Sequence, residues 1–264
     1  MATEFETAGA PKVHPGTLYR AEPGGASFVQ RFLHDEAHLE FLDAGEYRLP
    51  GGTRTRETSL PTHESLLFQW RGESTVRVDG AAYELAHYDS LYVPRGATLS
   101  IENPHAEPAV LIETSAPAEH RHPAFHSRFA EFSQRVERIR QLPGGRTVYQ
   151  MFDVSEAADK LVAGYTFFEP HARSWPPHNH TDQEETYIFL DGTGAMEVYE
   201  SPETLSFVRS VKEGDAVTIP YLNYHPVFAQ ETPLVFLWCI AGERYWIGDK
   251  NKEFLKGGSG PITT

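Results

Sequence analysis

Pro176-Pro177-His178-Asn179-His180-Thr181-Asp182-Gln183-Glu184-Glu185-Thr186-Tyr187 is the stretch on which the reading of this chain turns. In an extended segment, side chains two residues apart share a face, so His178 and His180 set two imidazoles side by side. The polar run 181–184 suits a tight connection, after which the next strand can aim Glu185 at the same point. A third imidazole, His225, arrives from a separate strand end. Three neutral imidazoles and one carboxylate form a borderline donor set that suits one divalent transition metal, Zn, Mn, Fe, Ni or Co, and not the all-oxygen shell of Ca. Most histidines bind nothing, and this chain has 13, so a lone one would carry no weight. Four donors at this spacing, flanked by glycine and proline, do carry weight.

Outward from that stretch the chain reads as short apolar segments. In the second half they run Leu161 to Phe168, Thr186 to Leu190, Ala195 to Tyr199, Ala216 to Ile219 and Leu234 to Ile240, broken by Asp191-Gly192 and Glu213-Gly214. In the first half they run Ser65 to Trp70, Ser74 to Val78 and Ser90 to Val93, with turns at Arg71-Gly72, Asp79-Gly80 and Arg95-Gly96. Val76 to Gly80 followed by Asp89 to Pro94 echoes Met196 to Tyr199 followed by Gly214 to Pro220, which predicts one all-β barrel, duplicated. Between the halves, Phe129, Phe132, Val136 and Ile139 recur at spacings of three and four and predict a helix over about 127–141. The first thirty residues read as a loose lead-in or an arm that packs on another element, and Lys256 to Gly260 as a flexible tail.

At 264 residues, with 40% hydrophobic and 23% charged residues, the composition is that of a globular chain of one large or two ordinary domains. A net charge of -14 leaves no basic stripe for nucleic acid and repels anionic lipid surfaces. The single cysteine, Cys239, sits inside an apolar run and reads as a buried strand residue, consistent with a reducing compartment. No apolar run approaches a membrane span and no basic-plus-apolar leader is visible, so a soluble cytoplasmic protein is expected.

These residues resemble the two motifs of the cupin superfamily. The first runs Gly, five residues, His-x-His, three or four residues, Glu, six residues, Gly; His178, His180, Glu185 and Gly192 fall on it, with Ala172 for the opening Gly. The second runs Gly, five residues, Pro-x-Gly, two residues, His, three residues, Asn; Gly214, Pro220 and His225 match, while Leu222 and Ala229 replace the inner Gly and the Asn. In the first half Pro94, Gly96 and Asn103 match the second motif, but Leu99 stands where His should be and Tyr88 where Gly should be. With Glu64 taken as the carboxylate, the His-x-His positions hold Glu57 and Ser59, and His63 is out of register. The resemblance therefore implies two cupin barrels: a degenerate, metal-free one over 1–125, a helical linker over 126–145, and a metal-binding one over 146–264. The linker histidines His120, His122 and His126 lack a well-placed carboxylate and read as solvated.

Within the superfamily, Ala157 to Gly164, Ser174 to His178, Glu184 to Tyr187 and Tyr224 to Val227 are similar to 5-deoxy-glucuronate isomerases, and Phe236 to Trp238 with Ala241 to Glu243 to 4-deoxy-5-ketouronate isomerases. That branch implies a metal-dependent aldose-ketose isomerase of a sugar acid working through an enediolate, in a chain expected to pair with copies of itself. Tyr187, on the strand face of Glu185, is the first acid/base or hydrogen-bonding candidate, or else an aromatic that fills the barrel; Glu184 and Glu197 are weaker candidate bases. Arg173, Arg209 or Lys212 could meet the substrate's carboxylate. The same ligands serve cupin dioxygenases, and a non-catalytic sugar-binding module is the third reading.

Overall fold

The computed structural model describes residues 12–14, 18–21, 25–175, 177–201 and 204–245. The tail expected at Lys256 to Gly260 lies outside them. The first half carries β1 (Lys12–His14), β2 (Leu18–Ala21), β3 (Ser27–Phe32), β4 (Asp43–Leu49), β5 (Thr58–Ser59), β6 (His63–Arg71), β7 (Ser74–Val78), β8 (Ala81–Leu85), β9 (Ser90–Val93), β10 (Thr98–Glu102) and β11 (Ala109–Pro117). The second carries β12 (Phe125–Ser127), β13 (Ile139–Leu142), β14 (Arg146–Phe152), β15 (Val162–Phe168), β16 (Gln183–Asp191), β17 (Thr193–Ser201), β18 (Thr204–Lys212), β19 (Ala216–Ile219), β20 (Val227–Ala229) and β21 (Leu234–Gly242).

One seven-stranded sheet, β12-β9-β6-β11-β4-β3-β2, faces β5-β10-β7-β8; a second, β1-β19-β16-β21-β15-β14-β13, faces β18-β17-β20. The duplicated all-β architecture is therefore present, with an exchange at its edges. β1 pairs with β19 of the other barrel, and β12 returns the favour on β9. Part of the lead-in is thus an arm on the second barrel, and β2 and β3 are built into the first.

Strand parity explains why the sequence looks apolar on both faces. On β16, Tyr187 and Phe189 point into the second barrel, while Ile188 and Leu190 join a layer shared between the barrels. β21 divides the same way, with Phe236, Trp238 and Ile240 inside and Leu237 and Cys239 between. A strand buried on both faces loses the polar-apolar alternation of a half-exposed one. Burial pushes the Cys239 thiol up to about 12, which keeps it an inert packing group.

Two carboxylates clasp the barrels reciprocally. Glu184 accepts the backbone N–H groups of Glu40, Phe41 and Leu42 at 2.6–2.8 Å. Glu64 accepts those of Asp159, Lys160 and Leu161 at 2.7–3.1 Å, and the Tyr92 hydroxyl at 2.7 Å. Each satisfies amides that would otherwise be orphaned in the interior.

The linker departs from expectation. In place of a helix over 127–141 there is one turn, α1 (Phe129–Phe132), a 3-10 turn at Val136–Arg138, and then β13. Phe132 is buried against the core, but Val136 is 83% exposed and Ile139 already belongs to a strand, so only the first two of the four periodic residues bury as a helix would. Arg128 offers no side-chain cap. Nor are the linker histidines uniformly solvated: His120 and His122 hold Asp159 at 3.2 and 2.7 Å, and the buried His126 lies 3.2 Å from Asp89.

Candidate metal centre

Two loops zip together to build the site. The backbone N–H of His225 donates to the carbonyl of His178 at 3.1 Å, and that of Leu222 to the carbonyl of His180 at 2.7 Å. Asn179, between the two histidines, donates its amide to the Leu222 carbonyl at 3.1 Å. The extended His-x-His segment therefore lies beside the loop that carries His225, and β16 delivers Glu185 from the adjoining wall. The ligand atoms of His178, His180, Glu185 and His225 all lie within 4.8 Å of one another, the one such group among the described residues. Ring centroids are 4.5 Å apart for His178 and His225 and 5.2 Å for His180 and His225.

Hydrogen bonds behind the rings fix their tautomers. His225 Nδ1 lies 2.7 Å from the Asn223 carbonyl, which can only accept, so Nδ1 carries a proton and Nε2 faces inward. His180 Nδ1 lies 3.1 Å from Gln183 Oε1. The Gln183 amide is oriented by its own donation to the carbonyls of Glu243 and Tyr245 at 2.5 and 3.2 Å, so Oε1 faces the ring and Nδ1 donates there too. Both Nε2 atoms then meet Glu185 Oε2, at 3.1 Å from His180 and 3.0 Å from His225. His180 Nε2 is within hydrogen-bond distance of that oxygen, whereas His225 Nε2 is buried without a hydrogen bond despite its short approach.

Burial, then the neighbouring His225 and His180 rings, holds the His178 pKa well below the ordinary histidine value, keeping that ring neutral. Burial alone would raise Glu185, but the His180 and His225 rings beside it outweigh burial and bring it down to about 2, so the carboxylate is charged. Three imidazoles and an anionic carboxylate converging in an apolar barrel form a donor set that suits a divalent cation, and these residues fit one.

Tyr187 points into the barrel, its ring 5.8 Å from that of His225 and 4.6 Å from Phe236. Burial, then the Glu185 charge, raises its pKa well above the ordinary phenol value, so it is a donor and not a base. Two other candidate bases are placed elsewhere. Glu184 faces the other barrel, its carboxylate committed to three backbone amides. Glu197 follows Met196, which lies in the barrel interior, and so turns to the outer face, where it binds Arg173 and accepts the Tyr199 hydroxyl at 2.8 Å. Arg173 is thereby occupied, while Arg209 and Lys212 are exposed on β18. Sequence reasoning missed Gln183 and Asn223, which set the tautomers. Gln183 shares the strand parity of Glu185 and Tyr187, a signal available in the sequence; Asn223 acts through its backbone and leaves none.

Comparison with known proteins agrees with this geometry. The family model described as the KduI/IolB family matches residues 17–256. The chain is 29% identical over 217 residues to a 4-deoxy-L-threo-5-hexosulose-uronate ketol-isomerase of Bacillus pumilus, covering 79% of this chain and 75% of that one. It is 28% identical over 242 residues to the enzyme of the same name from Kineococcus radiotolerans, covering 83% and 86%. An IolB-like protein from Salmonella typhimurium superposes with a TM-score of 0.71 at 20% identity, over 87% of this chain and 95% of that one. Oxalate decarboxylase from Bacillus subtilis reaches 0.71 at 16% identity, over 94% and 83%, which speaks to the cupin fold alone. Two cupin barrels, one buried three-histidine, one-glutamate cluster and a family match across nearly the whole chain lead to one conclusion: the chain belongs to the KduI/IolB family.

Proposed function

We propose that this protein is a metal-dependent ketol-isomerase of a sugar acid, with His178, His180, Glu185 and His225 holding the metal. The observation that carries the reading is the convergence of lone pairs and one carboxylate on a single buried point, in a family whose relatives above are named uronate ketol-isomerases. Held by these four residues, a divalent ion would supply Lewis acidity toward a substrate carbonyl and the hydroxyl on the neighbouring carbon, the chemistry a ketol isomerisation needs.

The chain's own residues do the rest. Gln183 and the Asn223 carbonyl lock the ring nitrogens toward the centre, and such support behind the ligands preserves metal affinity. Tyr187, a neutral phenol on the Glu185 face of β16, donates a hydrogen bond or proton to a substrate oxygen in the barrel. Trp238, opposite Tyr187 in register, and Phe236 exclude water from that wall. The first barrel serves packing, its interior filled by apolar side chains such as Leu67, Leu91 and Leu99.

The test is isomerisation of 4-deoxy-L-threo-5-hexosulose-uronate under argon in deuterated water. Turnover with deuterium appearing on the carbon that began as the carbonyl is expected. Oxygen uptake by an iron-loaded sample with no isomerisation would instead indicate a dioxygenase, and binding without turnover a sugar-binding module.

A further inference from the structure

We propose that Arg146, with Arg140 beside it, anchors the carboxylate of the sugar acid on the wall of the metal-bearing barrel. This rests on the isomerase reading above and goes beyond it, because it names the group that selects an acid over a neutral sugar.

The β13–β14 hairpin is the edge of the seven-stranded sheet that also carries Glu185 and Tyr187. Val148 packs against the interior of the second barrel. Arg146 and Gln150, two residues to either side of it, share its face, and Arg140 lies directly across the hairpin from Val148. The wall is continuous in register: Gln150 pairs with Gly164, Gly164 with Trp238, and Trp238 with Tyr187. Gly164 has no room for a side chain, since a Cβ there would come 2.4 Å from the Trp238 indole, which occupies that space. Gln150 is buried, and in the amide orientation that satisfies both partners its oxygen accepts from Arg140 Nη2 at 2.8 Å, fixing that guanidinium.

Arg146 is the cation this wall leaves available. Its Nε donates to the Pro143 carbonyl at 2.9 Å, and among the described residues no carboxylate forms an ion pair with it. Partial burial lowers its pKa. By contrast Arg31, Arg138 and Arg173 are each matched to a carboxylate. In a chain of net charge -14, a half-buried guanidinium without an acid partner, on the inner face of this barrel's wall, calls for an anionic ligand. A carboxylate matches its planar fork of donors.

The test compares 4-deoxy-L-threo-5-hexosulose-uronate with the analogue whose carboxylate is reduced to the alcohol, in metal-loaded wild type, Arg146→Gln and Arg146→Lys. Arg146→Gln should raise KM for the uronate about 10- to 100-fold, with kcat, metal content and the neutral analogue's KM unchanged. Arg146→Lys should recover part of the loss. Arg146→Met, which keeps the apolar stem, replaces the Gln variant if that one does not fold. A uronate KM unchanged in the truncated variant, beside an active wild type, would overturn the anchor and leave the isomerase standing. A metal-loaded wild type inert toward both compounds would remove the isomerase reading and the anchor together.

Discussion

Where the second barrel places His178, His180, Glu185 and His225, the first places Thr58, Leu60, Ser65 and Leu99. The register fixes these equivalences. Glu185 pairs with Ile219 and Ser65 with Val93; the N–H of Leu222 meets the carbonyl of His180 at 2.7 Å and that of Gly96 meets Leu60 at 2.6 Å. Leu99 is buried in the apolar interior of the first barrel, and Ser65 donates to Glu113 at 3.0 Å. One barrel fills with packing what the other fills with donors. The same barrel backbone thus closes around apolar packing in one half and around the His178, His180, Glu185 and His225 cluster in the other.

The turns make the same point. Gly96 has φ 75° and its counterpart Leu222 φ 66°; Tyr88 has φ 66° and its counterpart Gly214 φ 87°. The left-handed turn persists in both barrels whether or not glycine is present to ease it.

The comparison breaks most severely if the site is converted into its counterpart. His225→Leu should keep the fold, because Leu99 already packs at that place, while bound metal falls to near zero and isomerase activity drops by a factor on the order of 10³ or more. Elemental analysis and rate measurement check it, and a variant that retains its metal would disprove the ligand assignment.

The reciprocal clasp gives the next largest effect. Glu184→Ala and Glu64→Ala each strand three backbone amides and should each cost about 3 kcal/mol in denaturant unfolding, with metal content unaltered in both. Loss of metal in Glu184→Ala would show that this side chain serves the site after all.

Gln183→Leu removes the acceptor that holds the His180 tautomer and should weaken metal binding about 10- to 100-fold in competition with a chelator. Equal affinity in wild type and variant would mean the ring is oriented by other contacts. The smallest effect is expected of Leu222→Gly, which makes the second barrel's turn match Gly96 and should raise stability by roughly 1 kcal/mol; a thermal midpoint that falls would show that the leucine side chain contributes more than its strained backbone costs.

The duplication and the clustering of His178, His180, Glu185 and His225 were legible because spacing in an extended segment and turn residues at fixed offsets are local signals. Register was not. With Glu64 aligned to the ligand carboxylate, Glu57 and Ser59 occupy the histidine places; the strand pairing puts Ser65 there instead, and moves the pair to Thr58 and Leu60. A one-residue shift of this kind turns a side chain from the barrel interior to the interface between barrels, and only hydrogen-bonded partners reveal it. The same parity assigned Glu184 to the clasp. The linker helix failed for another reason: Phe129 packs on Phe132, Tyr149 and Tyr165, so the spacing recorded one aromatic turn and the start of a strand. The exchange of β1 and β12 between barrels had no local signature, since short strands take their partners from tertiary context.

X-ray absorption at the zinc edge of protein loaded with one equivalent of zinc addresses the central claim most directly. Three imidazole nitrogens and a carboxylate oxygen near about 2.0–2.2 Å are predicted, with the imidazole signal diminished in His225→Leu. A spectrum showing oxygen neighbours alone, unchanged by that substitution, would contradict the account.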